Sequence, residues 1–217
     1  MTTDSSPPVR AFSGARILLR TAASGWDLSR VGAAPPAAET ESSGARKLPE
    51  QFRGPGLRLY GSDDVVGVEI GGALKNVIAI AAGVVEGLGL GHNAMAALIT
   101  RGLAEITRLA CAEGARRDTL AGLGGLGDLV VTCTGDLSRN RHVGIELGKG
   151  RKLSQILSDM HMVAEGVRTT GAALALGARH GIELPIAAQM SAVLEERSSP
   201  LEAVETLMGR RQRAEVE

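Results

Sequence analysis

From about residue 61 onward the sequence predicts an all-α domain, preceded by a mostly irregular N-terminal segment. Three observations carry this reading. Apolar residues recur at helical spacing over most of 65–208, most cleanly as Ala97, Leu98, Ile99, Leu103, Ile106, Leu109 and Ala110 on one side of a single helix. Glycine and proline stand where such helices would end and begin, with Gly114, Gly181 and Gly209 closing periodic runs and Pro185 and Pro200 suited to first helical turns. No convincing period-2 alternation of a strand occurs past residue 61.

Residues 1–45 are rich in Ser, Pro, Ala and Gly, with Pro7, Pro8, Pro35 and Pro36, the polar run Glu39–Ser43, and no periodic pattern beyond Ala15–Arg20. Such a segment buries too little apolar surface to order itself. A short extended piece is expected over Leu57–Tyr60, and Ser62-Asp63-Asp64 then offers a helix N-cap with acidic residues in the first turn. Val65–Gly87 reads as a long, largely buried helix in which Gly71, Gly72 and Gly83 lower propensity and signal close approach of a neighbouring backbone. Asn93–Ala112 follows, with Arg101, Glu105 and Arg108 expected on the solvent side. Further helices are predicted at about 138–148, 152–160, 165–180, 185–196 and 200–208. The domain organisation is therefore 1–45 irregular, 46–60 a short remnant of a preceding fold, and 61–217 helical.

A chain of 217 residues that is 44% hydrophobic and 22% charged can bury a real core. Lys+Arg and Asp+Glu balance at 24 each, so no long-range field recruits nucleic acid or anionic lipid, and an anion site must be local. Phe12, Trp26, Phe52 and Tyr60 are all of the aromatics, so the helical domain packs with aliphatic side chains and offers no ring for stacking a base. Nucleic acid is not an expected partner. Cys111 and Cys133 form no CxxC pair and no metal-like spacing with His92, His142, His161 or His180, which points to a reduced, cytoplasmic chain without a metal site. The apolar run Val77–Val85 is shorter than the about 20 residues a bilayer span requires, and the first residues lack the pattern of a signal peptide, so no membrane association is expected.

Four local features carry chemistry. Lys75 sits in the apolar segment GGALKNVIAI, where an ammonium is costly unless it is paired or used; snorkelling from a helix edge is the plainer alternative. Gly122-Leu123-Gly124-Gly125-Leu126-Gly127 matches GxGxxG, but it follows what looks like a helix-connecting loop instead of a strand, so it is not expected to bind a dinucleotide. Asp128 leads the apolar run Leu129–Val131 and either caps a helix or serves a site. Ser138-Arg139-Asn140-Arg141 combines a capping residue, two guanidinium groups and an amide at a helix start, a setting that favours a phosphate. Together, a buried lysine, a carboxylate able to orient it and an anion-binding helix start suit carbonyl reduction on a small phosphorylated substrate.

In order and approximate spacing, GGALKNVIAI, NAxxALITRGLAEITRL, GLGGLGDLVVTCT, SRNR and VAEGVRTT resemble the C-terminal half of bacterial NAD(P)-dependent glycerol-3-phosphate dehydrogenase, over about residues 46–213. The resemblance implies a multi-helix substrate domain of the 6-phosphogluconate dehydrogenase C-terminal-like type, and an enzyme interconverting dihydroxyacetone phosphate and sn-glycerol 3-phosphate. It implies that Lys75 is the proton-transferring lysine and that Asp128 lies beside it. Ser138, Arg139 and Asn140 match the substrate-phosphate site, and Thr132 is a weaker match. Arg139, Val163 and Glu165 match contacts to the NAD or NADP cofactor. A homodimer is also compatible with the family. Where relatives carry a glycine-rich turn and a Rossmann domain, residues 1–45 show neither, and Leu48–Tyr60 resembles only the end of such a domain. The chain thus reads as an enzyme of this family without its cofactor half; a catalytically silent helical module that binds a small phosphate or a partner is the alternative. A dehydrogenase for a different hydroxy acid fits Arg139 and Asn140 less well.

Overall fold

The structure, a computed structural model, describes residues 18–20, 58–160 and 164–210. The chain divides into two units, Met1–Val65 and Val66–Glu217. In the first, strand β1 (Leu18–Arg20) pairs antiparallel with β2 (Arg58–Tyr60), with Leu19 opposite Leu59. Strand β2 falls where an extended piece is expected; β1 lies within Ala15–Arg20, the one patterned stretch of a segment whose composition predicts no strand.

From Val65 onward the described elements are helical, as predicted. Helix α1 (Val65–Gly87) begins directly after Ser62-Asp63-Asp64. Its first turn holds no acidic side chain, because the two aspartates precede it. Ser62 Oγ accepts a hydrogen bond from the Asp64 N–H at 3.2 Å. Helix α1 has the length and apolarity to cross a membrane, but 61% of its most apolar 18-residue window is buried inside the protein, as suits the central helix of an aliphatic core. The turn Gly87–Gly91 stops it: Leu90 N–H donates back to Val85 O at 3.1 Å, and Gly89 and Gly91 take φ of +70° and +81°.

Helices α2 (Gly91–Ala112), α3 (Arg117–Ala121), α4 (Asp128–Thr134), α5 (Arg139–Gly148), α6 (Leu153–Asp159), α7 (Glu165–Arg179), α8 (Pro185–Leu194) and α9 (Pro200–Met208) follow, with a π-helical turn, Leu123–Gly127, joining α3 to α4. Pro185 and Pro200 occupy first turns. Ser199 and Glu202 form a reciprocal capping box on α9. The core is aliphatic, as the missing aromatics require: Val77, Ile78, Ile80, Ile106, Leu109, Leu120, Leu129 and Val143 are each 2% exposed or less.

Gly83 does mark a close backbone approach, and the neighbour it meets is α5. A Cβ on Gly83 would lie 2.0 Å from the Arg141 carbonyl oxygen, one on Gly144 would lie 1.9 Å from that of Ile80, and one on Gly87 would lie 2.4 Å from that of Ile145. Gly148 packs in turn on Gly87. Two four-residue glycine spacings, one per helix, therefore form a seam in which main chain rests on main chain. Gly144→Ala should cost about 3 kcal/mol or more in urea denaturation, the upper end of overpacking, because backbone cannot step aside as a side chain can. By contrast Gly171, mid-helix in α7 with nothing near its absent Cβ, should gain about 0.5–1 kcal/mol on conversion to Ala. Equal effects at the two positions would show that the seam is not tight.

Glu105 departs from the expectation of a solvent-facing residue. It is 4% exposed, and its carboxylate accepts hydrogen bonds from the N–H groups of Ile186 at 2.8 Å and Ala187 at 3.4 Å, so it caps the start of α8 from within α2. Helical period alone could not show this, since the α8 N-terminus reaches Glu105 only across 81 residues of chain. Burial outweighs those two bonds and raises its pKa from 4.5 to about 7. The folded state therefore binds this proton more tightly than the unfolded chain, and the stabilisation present below pH 4.5 is lost as pH rises to about 7. Relative to Glu105→Gln, the wild type should lose about 3 kcal/mol of unfolding free energy across that window, measured by denaturation at several pH values. A constant difference between the two proteins would refute this account of the buried carboxyl.

Candidate active site

Lys75 and Asp128 come from different helices and meet. Lys75 projects from the middle of α1, Asp128 is the first residue of α4, and Lys75 Nζ donates to Asp128 Oδ2 at 2.5 Å. Their side chains are 22% and 19% exposed, so the ammonium is half-buried and paired, neither snorkelling freely nor sealed from solvent. Asp128 is no helix cap: it lies inside α4, and the cap position, Gly127, has no side chain to bond the helix start. The preceding glycines explain how the carboxylate is presented. They form the π-helical turn, with Gly127 N–H donating to Gly122 O at 3.1 Å, and they follow helix α3, not a strand. A Cβ on Gly125 would lie 2.0 Å from the Leu120 carbonyl oxygen, so this GxGxxG serves packing.

Behind the pair runs a buried amide chain. Asn76 Nδ2 donates to Gly72 O at 3.4 Å, Asn140 Nδ2 donates to Asn76 Oδ1 at 3.0 Å, and Gly166 N–H donates to Asn140 Oδ1 at 2.9 Å. Asn76 and Asn140 are each 8% exposed. The chain joins α1, α5 and α7 one residue after each chemically interesting position: Lys75 precedes Asn76, Arg139 precedes Asn140 and Glu165 precedes Gly166. Among the described residues no buried side-chain nitrogen or oxygen lacks a partner, so this network carries no desolvation deficit.

The other expected site residues are placed as follows. Ser138 caps α5, its Oγ accepting from Arg141 N–H at 3.3 Å. Arg139, the first residue of α5, is exposed and makes no ion pair with the described residues. Asn140, expected at the phosphate, has its amide oxygen and one amide hydrogen engaged by the network. Thr132 Oγ1 donates to the Asp128 carbonyl oxygen at 2.6 Å, tying it to its own helix. Glu165 is exposed in the first turn of α7, and Val163 lies outside the described residues. Asn76 is the residue sequence reasoning missed. The signal was available, since an amide in the same apolar run as Lys75 carries the same penalty if unpartnered. Cys133, also on α4, is buried with its thiol pushed up to about 12, so it packs and does not act as a nucleophile.

The helical unit thus brings Lys75 of α1 and Asp128 of α4 into contact and opens α5 with Arg139. Residues 64–205 match the family model for the NAD-dependent glycerol-3-phosphate dehydrogenase C-terminus, and the chain belongs to that family. It is 59% identical over 181 residues to glycerol-3-phosphate dehydrogenase (NAD(P)+) of Koribacter versatilis, covering 83% of this chain and 54% of that protein. It is 63% identical over 174 residues to that of Acidobacterium capsulatum, covering 80% and 52%. The crystal structure of glycerol-3-phosphate dehydrogenase from Coxiella burnetii superposes with a TM-score of 0.74 at 43% identity, over 79% of this chain and 53% of that one. The chain spans about half the length of the curated relatives it matches.

Asn140→Ala should cost about 2–3 kcal/mol, because it strands Asn76 Oδ1 and Gly166 N–H in the interior. In a denaturation double-mutant cycle the Asn76→Ala/Asn140→Ala protein should lose clearly less than the sum of the single variants. Strict additivity would show that the two amides do not work as one network.

Proposed function

We propose that this chain forms the substrate-binding half of a cytoplasmic dehydrogenase that interconverts dihydroxyacetone phosphate and sn-glycerol 3-phosphate with NAD or NADP. The observation that carries the reading is the half-buried Lys75–Asp128 pair in a chain of this family. Both relatives named above are glycerol-3-phosphate dehydrogenases of the NAD(P)+ type, which supports the substrate and the cofactor class.

The residues fit such a reaction. Arg139, exposed and without an ion pair among the described residues, meets the substrate phosphate together with the start of α5. There the N–H groups of Arg139 and Asn140 point outward at the positive end of the helix, while Ser138 satisfies that of Arg141. Lys75 Nζ hydrogen-bonds the ketone oxygen. As negative charge develops on that oxygen, the ammonium stabilises it and delivers a proton. Asp128 keeps the ammonium aimed through the step and compensates its charge. In the reverse direction Lys75 takes the proton from the alcohol. A bound nicotinamide cofactor supplies or accepts the hydride. Arg139 and Glu165 would hold its nicotinamide end: they stand at two helix starts that the Asn140–Gly166 bond ties together, leaving a guanidinium and a carboxylate open to solvent.

Purified chain should bind glycerol 3-phosphate in calorimetry, and Arg139→Ala should weaken that binding at least tenfold through loss of a charge-assisted contact. Where NAD(P)H-dependent reduction of dihydroxyacetone phosphate is present, Lys75→Ala should lower it by about 10²–10⁴, the range of general acid catalysis. Binding without turnover would mark a substrate-binding module that needs a nucleotide domain from elsewhere. Failure to bind either ester would sink the assignment.

A further inference from the structure

Arg141 is a half-hidden guanidinium that the reaction outlined above does not use. Its side chain is 14% exposed. Nε donates to Glu86 Oε2 at 2.9 Å and Nη2 to Glu86 Oε1 at 2.9 Å, a two-pronged grip on the last turn of α1. Its remaining arm, Nη1, donates to the Gly135 carbonyl oxygen at 3.4 Å and to Asp136 Oδ1 at 3.3 Å, both in the loop between α4 and α5. The main chain of Arg141 is held independently, because its carbonyl oxygen rests against Gly83, where a Cβ would lie 2.0 Å away. The same loop ends at Ser138, whose N–H donates to Gly135 O at 3.2 Å and whose carbonyl accepts from His142 N–H at 3.0 Å.

We infer that Arg141 is the positioning residue of this site: with Glu86 it fastens the 135–138 loop, and through it Ser138 and Arg139, to the helix that carries Lys75. The inference rests on the reading of Arg139 as the phosphate contact, and it explains how that contact keeps its distance from the lysine. Three observations agree. The guanidinium spans two acceptor sets that no lysine could bridge, since only a planar fork with donors on opposite edges reaches both. Glu86 lies eleven residues beyond Lys75, about 16 Å along α1 at about 1.5 Å per residue, so it cannot itself touch a three-carbon substrate held at the lysine. The loop has few other anchors, for Leu137 is 98% exposed and the Asp136 side chain 95% exposed.

The test is hydrogen exchange on the full chain, paired with calorimetry. Glu86→Gln, a change at a 41% exposed side chain that leaves the core intact, should speed exchange of the Ser138, Arg141 and His142 amides at least tenfold and leave Val77–Ile80 unchanged. Arg141→Lys should do the same, because it keeps the charge and loses the fork. The dissociation constant for glycerol 3-phosphate should rise three- to tenfold in each variant, with Glu86→Gln/Arg141→Lys no worse than the more severe single change. Unchanged exchange at those amides, an equal rise throughout the protein, or wild-type behaviour of Arg141→Lys would overturn the positioning role. Should the wild-type chain bind neither glycerol 3-phosphate nor inorganic phosphate, the proposed function falls, while the exchange data still decide whether Arg141 fastens the loop.

Discussion

The contact on which the rest of this domain depends is made by four glycines. Where Gly83 and Gly87 of α1 meet Gly144 and Gly148 of α5, the two backbones touch with no side chain between them. Packed helices are ordinarily separated by a layer of side chains, which tolerates small shifts through rotamer changes. A bare seam does not. It fixes the depth of α5 against α1 and brings Asn140 within hydrogen-bond reach of Asn76, so the first turn of α5 inherits a defined place relative to Lys75.

Around that seam the domain separates buried, mutually satisfied polar groups from the more exposed side chains that the proposed reaction uses. Asn76, Asn140 and the Gly166 amide are buried and mutually satisfied, whereas Lys75 and Asp128 are half-exposed and Arg139 and Glu165 open to solvent. In α1 and α5 the buried side chain follows its neighbour by one position, which on a helix turns the two about 100° apart, while in α7 the buried group is the backbone N–H of Gly166. Of each such pair of side chains, one points inward to the network while the other faces out. Burial of the amides is what makes the arrangement rigid, because an amide that loses its partner in the interior has no water to replace it.

Glu105 uses the same physics between α2 and α8, where a buried carboxylate caps α8 across 81 residues of chain. There the balance is closer. Desolvation exceeds the gain from two backbone N–H groups, and the residue holds α2 and α8 together at a cost in stability that grows with pH. The Lys75–Asp128 pair is built differently, with each charged side chain about a fifth exposed and directly facing its opposite charge.

Much of this was legible in the chain itself. Helical period, glycine stops and N-terminal prolines located seven of the nine helices among the described residues to within about two residues, since each of these signals is local and acts through backbone sterics and side-chain direction; α3 falls in a stretch that reads as a connecting loop, and α4 has no predicted range, both being short helices. Lys75 could be singled out because a charge in an apolar run demands an explanation wherever the chain folds. Tertiary structure alone decided which partners answer such demands. Period placed Glu105 on the solvent side, capping preference offered Asp128 a local role, and the GxGxxG letters, rightly not read as a dinucleotide loop, gave no sign that Leu123–Gly127 folds as a π-helical turn. In each case the deciding atoms, the α8 amides, the Lys75 ammonium and the Leu120 carbonyl, come from another element. The sequence by itself determined where helices form and which polar residues need partners, because those follow from neighbours along the chain. Which partner each one found depended on how closely the helices pack, and that distance exists only in the folded molecule.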